Sequence, residues 1–371
     1  MFRMARRPGE RRGGGHMTPA VGVLTALFAT SVLAAHPSSH ISDPHPLPIA
    51  AAAYFTSSHS ADPDSVLLAQ PPDLPAFFAD SVRYLWPTDA SRYLSGTFAE
   101  TRSAHLHTGI DIKTWGREGY KVFATRDGVL HRIQTGPGGY GNALYLRHDD
   151  GSYSVYAHLR NFIPSIEQVA DSLRLPLFRH SLDAVIDTLG LRFAQGDVIA
   201  FTGSTGVGPP HLHFEIRSAE QVPYNPLYAR FPIQDTRDPR ITMILAESLT
   251  RSAEGGLSFD RVAERRALRP QGRSGDGTVD FGTVQMAGPL ALSVDASDRA
   301  DDVANVYAVY RLSMHVNDTL RFASQASTLP FEFASHMFVD RHYEWLRSRR
   351  AGLQRLHVRP VNQLPIYRTG P

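Results

Sequence analysis

The chain has 371 residues, of which 42% are hydrophobic and 20% are charged. This composition is ordinary for a globular protein of about two domains, and it excludes disordered, collagen-like and heptad-repeat proteins. The formal net charge of +2 creates no large single-sign field of the kind that attracts nucleic acid. Cysteine is absent, which excludes disulfide scaffolds and thiolate sites, so histidine and carboxylate must hold any transition metal.

The first 35 residues have the pattern of a secretory signal peptide. Several arginines precede an apolar run, residues 19–35, that ends in small residues. The run is shorter than the ~20 apolar residues of a spanning helix, although an uncleaved anchor is the alternative. We expect cleavage near Ala34 or Ala35, and hence an exported protein of the periplasm, cell envelope or medium with no stable membrane span. Residues 36–87 are expected to be a linker or N-terminal segment, flexible up to about residue 72.

Residues 94–226 are predicted to form short antiparallel strands. The predicted strands are rich in β-branched and aromatic residues and are bounded by glycine or Asp-Gly turns. Between residues 164 and 191, apolar residues recur at helical spacing, so we expect a helical insertion at about 162–195. The strands are predicted at residues 120–124, 128–133, 143–148, 152–158, 198–202 and 213–217.

Histidine motifs in this region carry the candidate chemistry. His107 and Asp111 can share a cation if the backbone bends between them, which Gly109 permits. Residues two apart in a strand point to the same face, so His211 and His213 would project into one site about 7 Å apart. Each motif alone is a weak signal, because a His-x-His pair in a strand is more often structural.

A third motif and two glycine-rich segments complete the set. Tyr156-Ala157-His158 stands at the end of a predicted strand. Residues 136–141 match G-x-G-x-x-G, but a strand follows instead of a helix, which excludes a dinucleotide site. Residues 203–206 lack the lysine of a phosphate loop. Tyr140 and Asn142 either line a substrate groove or belong to a simple turn.

Together and in order, the motifs and their flanks resemble the lysostaphin/LytM-type zinc metallopeptidases, which cut peptide bonds in bacterial peptidoglycan. The resemblance covers about residues 94–227 and is greatest to Bacteroidota-like members with a C-terminal β domain. It implies an all-β-dominated, antiparallel-sheet domain at residues 88–228. It depends on residues 96–114, 138–142, 156–159, 196–199 and 203–217.

By motif position, the resemblance makes His107, Asp111 and His213 the Zn²⁺ ligands, with His158 and His211 as the catalytic pair beside the metal. Three protein ligands and an open fourth position are typical of catalytic zinc sites. A zinc-bound water would attack the peptide bond. Since no HExxH helix is present, the two histidines must transfer the proton and stabilise the oxyanion, in either assignment.

The resemblance therefore implies a zinc-dependent endopeptidase that hydrolyses crosslinks or stem peptides of peptidoglycan. The alternatives are a non-catalytic regulator of cell-wall amidases on the same fold and a secreted, lysostaphin-like bacteriolytic enzyme. The complete set of five motif residues favours catalysis. His105 also precedes Asp111, but the spacing favours His107 as the ligand. Ala99 stands where a glycine is common in the relatives.

A second β domain, a sandwich, is predicted at residues 229–371. Strands are expected at residues 290–294, 306–314, 319–323 and 353–359. The acidic residues between 295 and 302 are expected to form a solvated turn, since their spacing is not that of an EF-hand. The arginine-rich run at 341–359 is expected to be a solvated helix face.

Overall fold

The computed structural model describes residues 23–31, 49–58, 74–251, 256–275, 277–349 and 352–369. Two strands come from the N-terminal part, β1 (Val23–Ser31) and β2 (Ile49–Ser58), and they pair antiparallel with each other. β1 lies within the predicted signal peptide, and β2 within the stretch predicted to be flexible. Both segments are rich in apolar residues, which favour sheet pairing over solvation. The rest of the predicted leader and linker before residue 74 lies outside the described residues.

Residues 94–224 form short antiparallel strands, as the sequence predicts, and each predicted strand appears within two residues at either end. Nine strands form one sheet in the order β10-β6-β7-β8-β13-β4-β3, with β11 paired to β6 and β14 to β13, while β5, β12 and β9 form a second sheet. The strands are β3 (Leu94–Gly96), β4 (Ile110–Lys113), β5 (Lys121–Phe123), β6 (Gly128–Thr135), β7 (Ala143–Arg147), β8 (Tyr153–Ala157), β9 (Leu159–Phe162), β10 (Leu182–Val185), β11 (Arg192–Phe193), β12 (Val198–Thr202), β13 (His211–Arg217) and β14 (Pro223–Tyr224).

The core of this domain joins the two sheets. Every residue of β8 and all but the first of β13 are buried, so these central strands are covered on both faces. Ile112, Leu130 and Phe214 of the large sheet belong to one apolar cluster with Val122 and Ile199 of the small sheet. Complete burial of an apolar side chain of this size contributes about 2 kcal/mol. His158, His211 and His213 are therefore attached to two central strands that are covered on both faces.

The insertion is helical only in its first half. Helix α1 (Pro164–Arg174) begins with proline at its first position, and 3₁₀ turns follow at Leu175–Leu177 and Asp187–Leu189. The prediction of helix for the second half was wrong, because Leu182–Val185 forms β10 and pairs with the edge strand β6. The apolar spacing there fits a strand that half-buries alternate residues equally well.

A second β domain follows, as predicted. A four-stranded sheet has the order β16-β15-β19-β22, and a six-stranded sheet has the order β17-β18-β2-β1-β20-β21, in which β1 and β20 are parallel. Short 3₁₀ helices occur at Ala76–Phe78, Pro226–Ala229 and Phe331–His336. The remaining elements are β15 (Arg240–Arg251), β16 (Leu257–Leu268), β17 (Gly272–Arg273), β18 (Val279–Met286), β19 (Leu290–Ser297), β20 (Arg311–Val316), β21 (Thr319–Gln325), β22 (Gln354–Arg355), α2 (Met337–Asp340) and α3 (Tyr343–Arg349).

The two sheets of this domain pack as a sandwich. Ile244 and Val294 of the four-stranded sheet share one apolar cluster with Phe281, Leu312 and Phe322 of the six-stranded sheet. The sequence missed β15 to β18. The strands predicted at 306–314 and 353–359 are shorter than expected, since only Arg311–Val316 and Gln354–Arg355 form strands there.

Two charged segments differ from their predictions. The acidic stretch is not wholly a solvated turn, because Asp298 is buried and its backbone pairs with that of Tyr307. In the arginine-rich run, Arg341 is buried and its Nε donates to Thr101 Oγ1 of the first domain at 3.0 Å, so this arginine is not on a solvated face. Among the described residues, no helix has the length and apolar character needed to cross a membrane.

Candidate metal centre

Sheet register brings the three histidine motifs together. β13 lies between β4 and β8, and His213 is paired with Asp111 on one side and with Ala157 on the other. His158 directly follows β8, and His211 lies two residues before His213 on the same strand. Since residues two apart share a face, both rings of β13 reach the side where His158 ends its strand.

Three donor atoms form a small triangle. Nε2 of His107 is 3.0 Å from Nδ1 of His213 and 3.1 Å from Oδ1 of Asp111, and these last two atoms are 2.9 Å apart. All three residues are buried. They make up the cluster of the described residues that could hold a metal ion. We call these three atoms the donor triangle.

Hydrogen bonds decide which nitrogen each ring offers. His107 Nδ1 donates to the Thr97 carbonyl at 2.8 Å, which leaves Nε2 with its lone pair. His213 Nε2 donates to Glu215 Oε1 at 2.8 Å, so Nδ1 is the nitrogen of this ring that can bind a metal. Tetrahedral zinc with bonds of about 2.0–2.1 Å separates its ligand atoms by about 3.3 Å. The separations in the donor triangle are slightly shorter than this spacing, and its three ligand atoms are one fewer than tetrahedral zinc takes. The residues present therefore fit zinc.

His105, the competing ligand candidate, and Gly109, the expected site of a backbone bend, both differ in role from the ligands. His105 is exposed and lies outside the cluster. Gly109 does not adopt a left-handed backbone conformation. A Cβ there would lie 2.5 Å from the Phe214 carbonyl oxygen and 2.9 Å from His213 Cε1. The glycine is thus required for the close approach of β13, and not for a bend between His107 and Asp111.

Asp111 is held by an arginine that the sequence reasoning did not single out. Its second oxygen, Oδ2, accepts from Arg102 Nη2 at 2.7 Å, while Oδ1 faces the two imidazoles. Burial favours the protonated carboxyl, but the neighbouring His107 and its hydrogen bond outweigh burial and hold the pKa of Asp111 well below its usual value. The carboxylate is therefore ionised, and Arg102 holds it so that Oδ1 faces the other two atoms of the donor triangle.

A buried carboxylate supports His213 from behind. Glu215 is fully buried, and besides His213 its Oε1 accepts from Tyr140 Oη at 2.6 Å and from Thr108 Oγ1 at 2.8 Å. Its Oε2 accepts from Arg217 Nε at 2.6 Å. Burial raises the pKa of Glu215, but Arg217 and His213 outweigh it and keep the pKa well below normal. The sequence feature that could have identified Glu215 is its position two residues after His213, on the same face of β13.

The same contacts affect the protonation of His213. Burial lowers its pKa, but the hydrogen bonds to Asp111 and Glu215 raise it to about 9. When His213 is charged, its second proton is on Nδ1, the atom that would bind the metal ion. Metal binding must displace that proton, so metal affinity should increase with pH.

His158 and His211 lie side by side, with ring centroids 4.4 Å apart. His158 Nδ1 donates to the Thr205 carbonyl at 2.9 Å, and His211 Nδ1 donates to the Pro209 carbonyl at 2.6 Å. Burial lowers the pKa of His158 to about 4, aided by His211, and burial also lowers the pKa of His211. Near neutral pH both rings are therefore uncharged, with an unprotonated Nε2.

Two glycine-rich loops support this pair. A Cβ on Gly141 would lie 2.3 Å from the Thr205 carbonyl carbon, so the loops meet backbone to backbone. Asn142 contributes to that contact, because its backbone N–H donates to Thr205 Oγ1 at 2.9 Å. The hydroxyl of Tyr140 belongs to the buried Glu215 network. The two residues therefore belong to a turn, closed by the Gly141 N–H on the Gly138 carbonyl, that supports the candidate site. Their place in a substrate groove stays a prediction.

Residues 105–171 match the model of Peptidase family M23, a range that includes His107, Asp111 and His158 and ends before β13. The chain is 37% identical over 128 residues to the DD-carboxypeptidase/endopeptidase Mpg of Neisseria meningitidis, covering 34% of this chain and 23% of Mpg. It is 30% identical over 132 residues to the Murein hydrolase activator NlpD of Escherichia coli, covering 36% of this chain and 27% of NlpD. The chain thus spans about a quarter of the length of these relatives.

Among solved structures, the catalytic domain of the antimicrobial peptidase lysostaphin from Staphylococcus simulans is 23% identical. That match covers 36% of this chain and 86% of the lysostaphin domain, with a TM-score of 0.26. A likeness of this size says nothing about activity.

Proposed function

From the match of residues 105–171 to Peptidase family M23, we propose that this chain is a zinc-dependent endopeptidase of bacterial peptidoglycan. The observation that supports catalysis is the donor triangle, in which one nitrogen of each ring faces Oδ1 of the ionised Asp111. An uncharged imidazole pair beside it adds a second requirement of hydrolysis. A protein that only regulates another enzyme needs neither feature.

In this proposal His107, Asp111 and His213 hold the ion. When bound, zinc acts as a Lewis acid that polarises a carbonyl and lowers the pKa of water. His158 and His211 supply the proton transfers, because each is neutral and has a bare Nε2 that accepts a proton from the attacking water and returns it to the leaving amine. Both rings present the same nitrogen, so either one can act as the base.

The relatives and the N-terminus support the proposed substrate class and location. Mpg is named for carboxypeptidase and endopeptidase activity and NlpD for activating murein hydrolases, so both names point to the cell wall. A peptidoglycan peptide is therefore the proposed substrate, and export to the envelope or beyond is part of the proposal. The charged and apolar pattern of the first 35 residues supports export.

A second candidate function is activation of another cell-wall hydrolase. The observation that favours it is the 30% identity to NlpD. The two functions differ in what the purified chain does alone. An endopeptidase releases peptides from sacculi by itself, whereas an activator releases nothing until an amidase is added.

The decisive experiment is digestion of purified sacculi by the full chain, with mass spectrometry of the soluble products. We expect new peptide termini, loss of products with a chelator and recovery with Zn²⁺. Asp111→Asn should abolish both zinc binding and products, because changes outside the ligand set already weaken metal binding about 10–100-fold. His105→Ala, an exposed neighbour, should behave as the wild type. Zinc-independent cleavage, or cleavage by Asp111→Asn, would overturn the proposal; stimulation of an added amidase without cleavage would establish the activator instead.

A further inference from the structure

The C-terminal domain reaches the back of the metal centre. After β21, residues 326–329 run along β14 and form backbone hydrogen bonds with the first domain. The Asn225 N–H donates to the Ser327 carbonyl at 2.9 Å, and the Leu329 N–H donates to the Pro223 carbonyl at 3.1 Å. These bonds hold the chain where Phe331 begins a 3₁₀ turn. A residue of the second domain is thereby placed against the end of β13.

Phe331 covers Arg217, the last residue of β13. Its ring centroid is 4.8 Å from Cζ of Arg217, while the rings of Tyr145 and Tyr140 lie at 5.4 and 5.8 Å. Arg217 is only 4% exposed, whereas Phe331 is 46% exposed. The guanidinium thus lies between tyrosines of the first domain and a phenylalanine whose other side faces solvent. Aromatic faces attract such a cation more strongly where water is excluded.

Arg217 in turn decides whether Glu215 can orient His213. Glu215 has no exposed surface, and an unpaired buried carboxylate would be strongly destabilised. Arg217 supplies the compensating charge through the 2.6 Å bond to Oε2, and its Nη2 also donates to Tyr140 Oη at 3.0 Å. A chain of direct contacts therefore leads from Phe331 through Arg217 and Glu215 to Nε2 of His213.

The C-terminal domain also packs against the loop that precedes His107. Phe98 and Leu106 belong to one apolar cluster with Met337 and Ile366 of the second domain. The backbone N–H of His107 donates to a carbonyl within this loop, that of Glu100, at 2.8 Å. Contacts from the C-terminal domain thus support both imidazoles of the donor triangle.

We propose that Phe331 is a positioning residue for the metal centre, so that the C-terminal β domain sets the zinc affinity of the peptidase domain. The proposal rests on the proposed function, since it requires the donor triangle to bind zinc. It assigns the second domain a task inside the molecule in addition to any contact with the cell wall. Groups that orient a metal-bound histidine typically change metal affinity about 10–100-fold when removed.

The test measures zinc affinity of the full chain by competition with a chromophoric chelator. We expect Phe331→Ala to bind zinc about tenfold more weakly, whereas Phe331→Tyr, which keeps an aromatic face, restores wild-type affinity. Phe338→Ala is the matched control, because Phe338 is a part-exposed phenylalanine nearby whose ring packs on Tyr343. Its zinc affinity should equal that of the wild type.

The thermal midpoint of each metal-free variant separates positioning from general stability. Phe331→Ala with a lower midpoint but wild-type zinc affinity would overturn the proposal. If circular dichroism shows that Phe331→Ala is unfolded, Phe331→Leu decides, since it keeps apolar cover without the aromatic face, and unchanged affinity in it would also overturn the proposal. Failure of the proposed function looks different: the wild type would bind zinc and cleave no sacculi, or would bind none at all.

Discussion

At the scale of single residues, backbone carbonyls determine the chemistry of the histidine pair. The carbonyls of Thr205 and Pro209 each accept from an Nδ1, and this fixes the tautomer of His158 and His211. His158 also has a φ of +59°, a left-handed conformation that a non-glycine residue adopts at a cost of about 1–3 kcal/mol. Strain of this kind persists where the surrounding structure requires it, here at the junction of β8 and the site.

His211→Ala tests the division between ligands and catalytic pair. The donor triangle does not include His211, so zinc content should be that of the wild type, while turnover on sacculi should fall about 10²–10⁴-fold. Metal analysis and product release from the same preparation measure both. His131→Ala, which removes a histidine bonded to Asp187 outside the site, is the control and should leave turnover unchanged. Loss of zinc in His211→Ala would show that this residue is a ligand.

At the scale of elements, adjacent strands and loops decide how the motifs meet. The strands predicted to carry the histidines are confirmed. They could be predicted because their pattern is local: apolar residues alternate with polar ones between glycine turns. The second half of the insertion and β15 to β18 were not predicted correctly. β16 contains five charged residues among its twelve, LSFDRVAERRAL, and polar strands of this kind have no clear apolar alternation.

Gly141→Ala tests the contact between the two glycine-rich loops. The new Cβ would meet the backbone of Thr205, and φ is +63° there, so the loop must move and carry with it the carbonyl that holds His158. We expect a loss of about 1–3 kcal/mol in the free energy of unfolding and a lower turnover, with zinc binding retained. Gly138→Ala is the control in the same loop, since its Cβ would meet nothing within 4 Å. Equal urea midpoints and turnover for the two variants would contradict this account.

At the scale of the whole molecule, the two domains share a continuous interface. Tyr307 of the C-terminal domain belongs to the core of the first domain, and its hydroxyl donates to the Leu94 carbonyl at 2.8 Å. The N-terminal segments add to the sandwich, because β1 lies between β2 and β20. This placement and the predicted cleavage exclude each other in one molecule, because a chain cleaved near Ala35 keeps β2 and loses β1.

His148 makes the stability of the folded chain depend on pH. It is 2% exposed, its Nδ1 donates to the Asp127 carbonyl, and burial lowers its pKa from 6.5 to about 4. Between these values the unfolded chain binds a proton that the folded chain does not, so stability decreases as pH falls from 6.5 to 4, by roughly 3 kcal/mol. Urea unfolding at pH 7 and pH 4 should show this loss in the wild type. In His148→Gln the loss should be smaller by about that amount, and an equal loss would contradict the prediction.

The sequence by itself was enough to predict a resemblance to one peptidase family, the β-dominated fold and the candidate residues, because each of these depends on short-range patterns. The four-residue spacing of His107 and Asp111 and the His-x-His motif are local patterns. The ligand and catalytic roles of these residues stay predictions, which the geometry supports. Only the tertiary structure decided which ring nitrogen each histidine presents and what stands behind it. Asp111 and His213 are 102 residues apart, and Phe331 meets Arg217 from another domain, so these contacts exist only after the sheets have paired and packed.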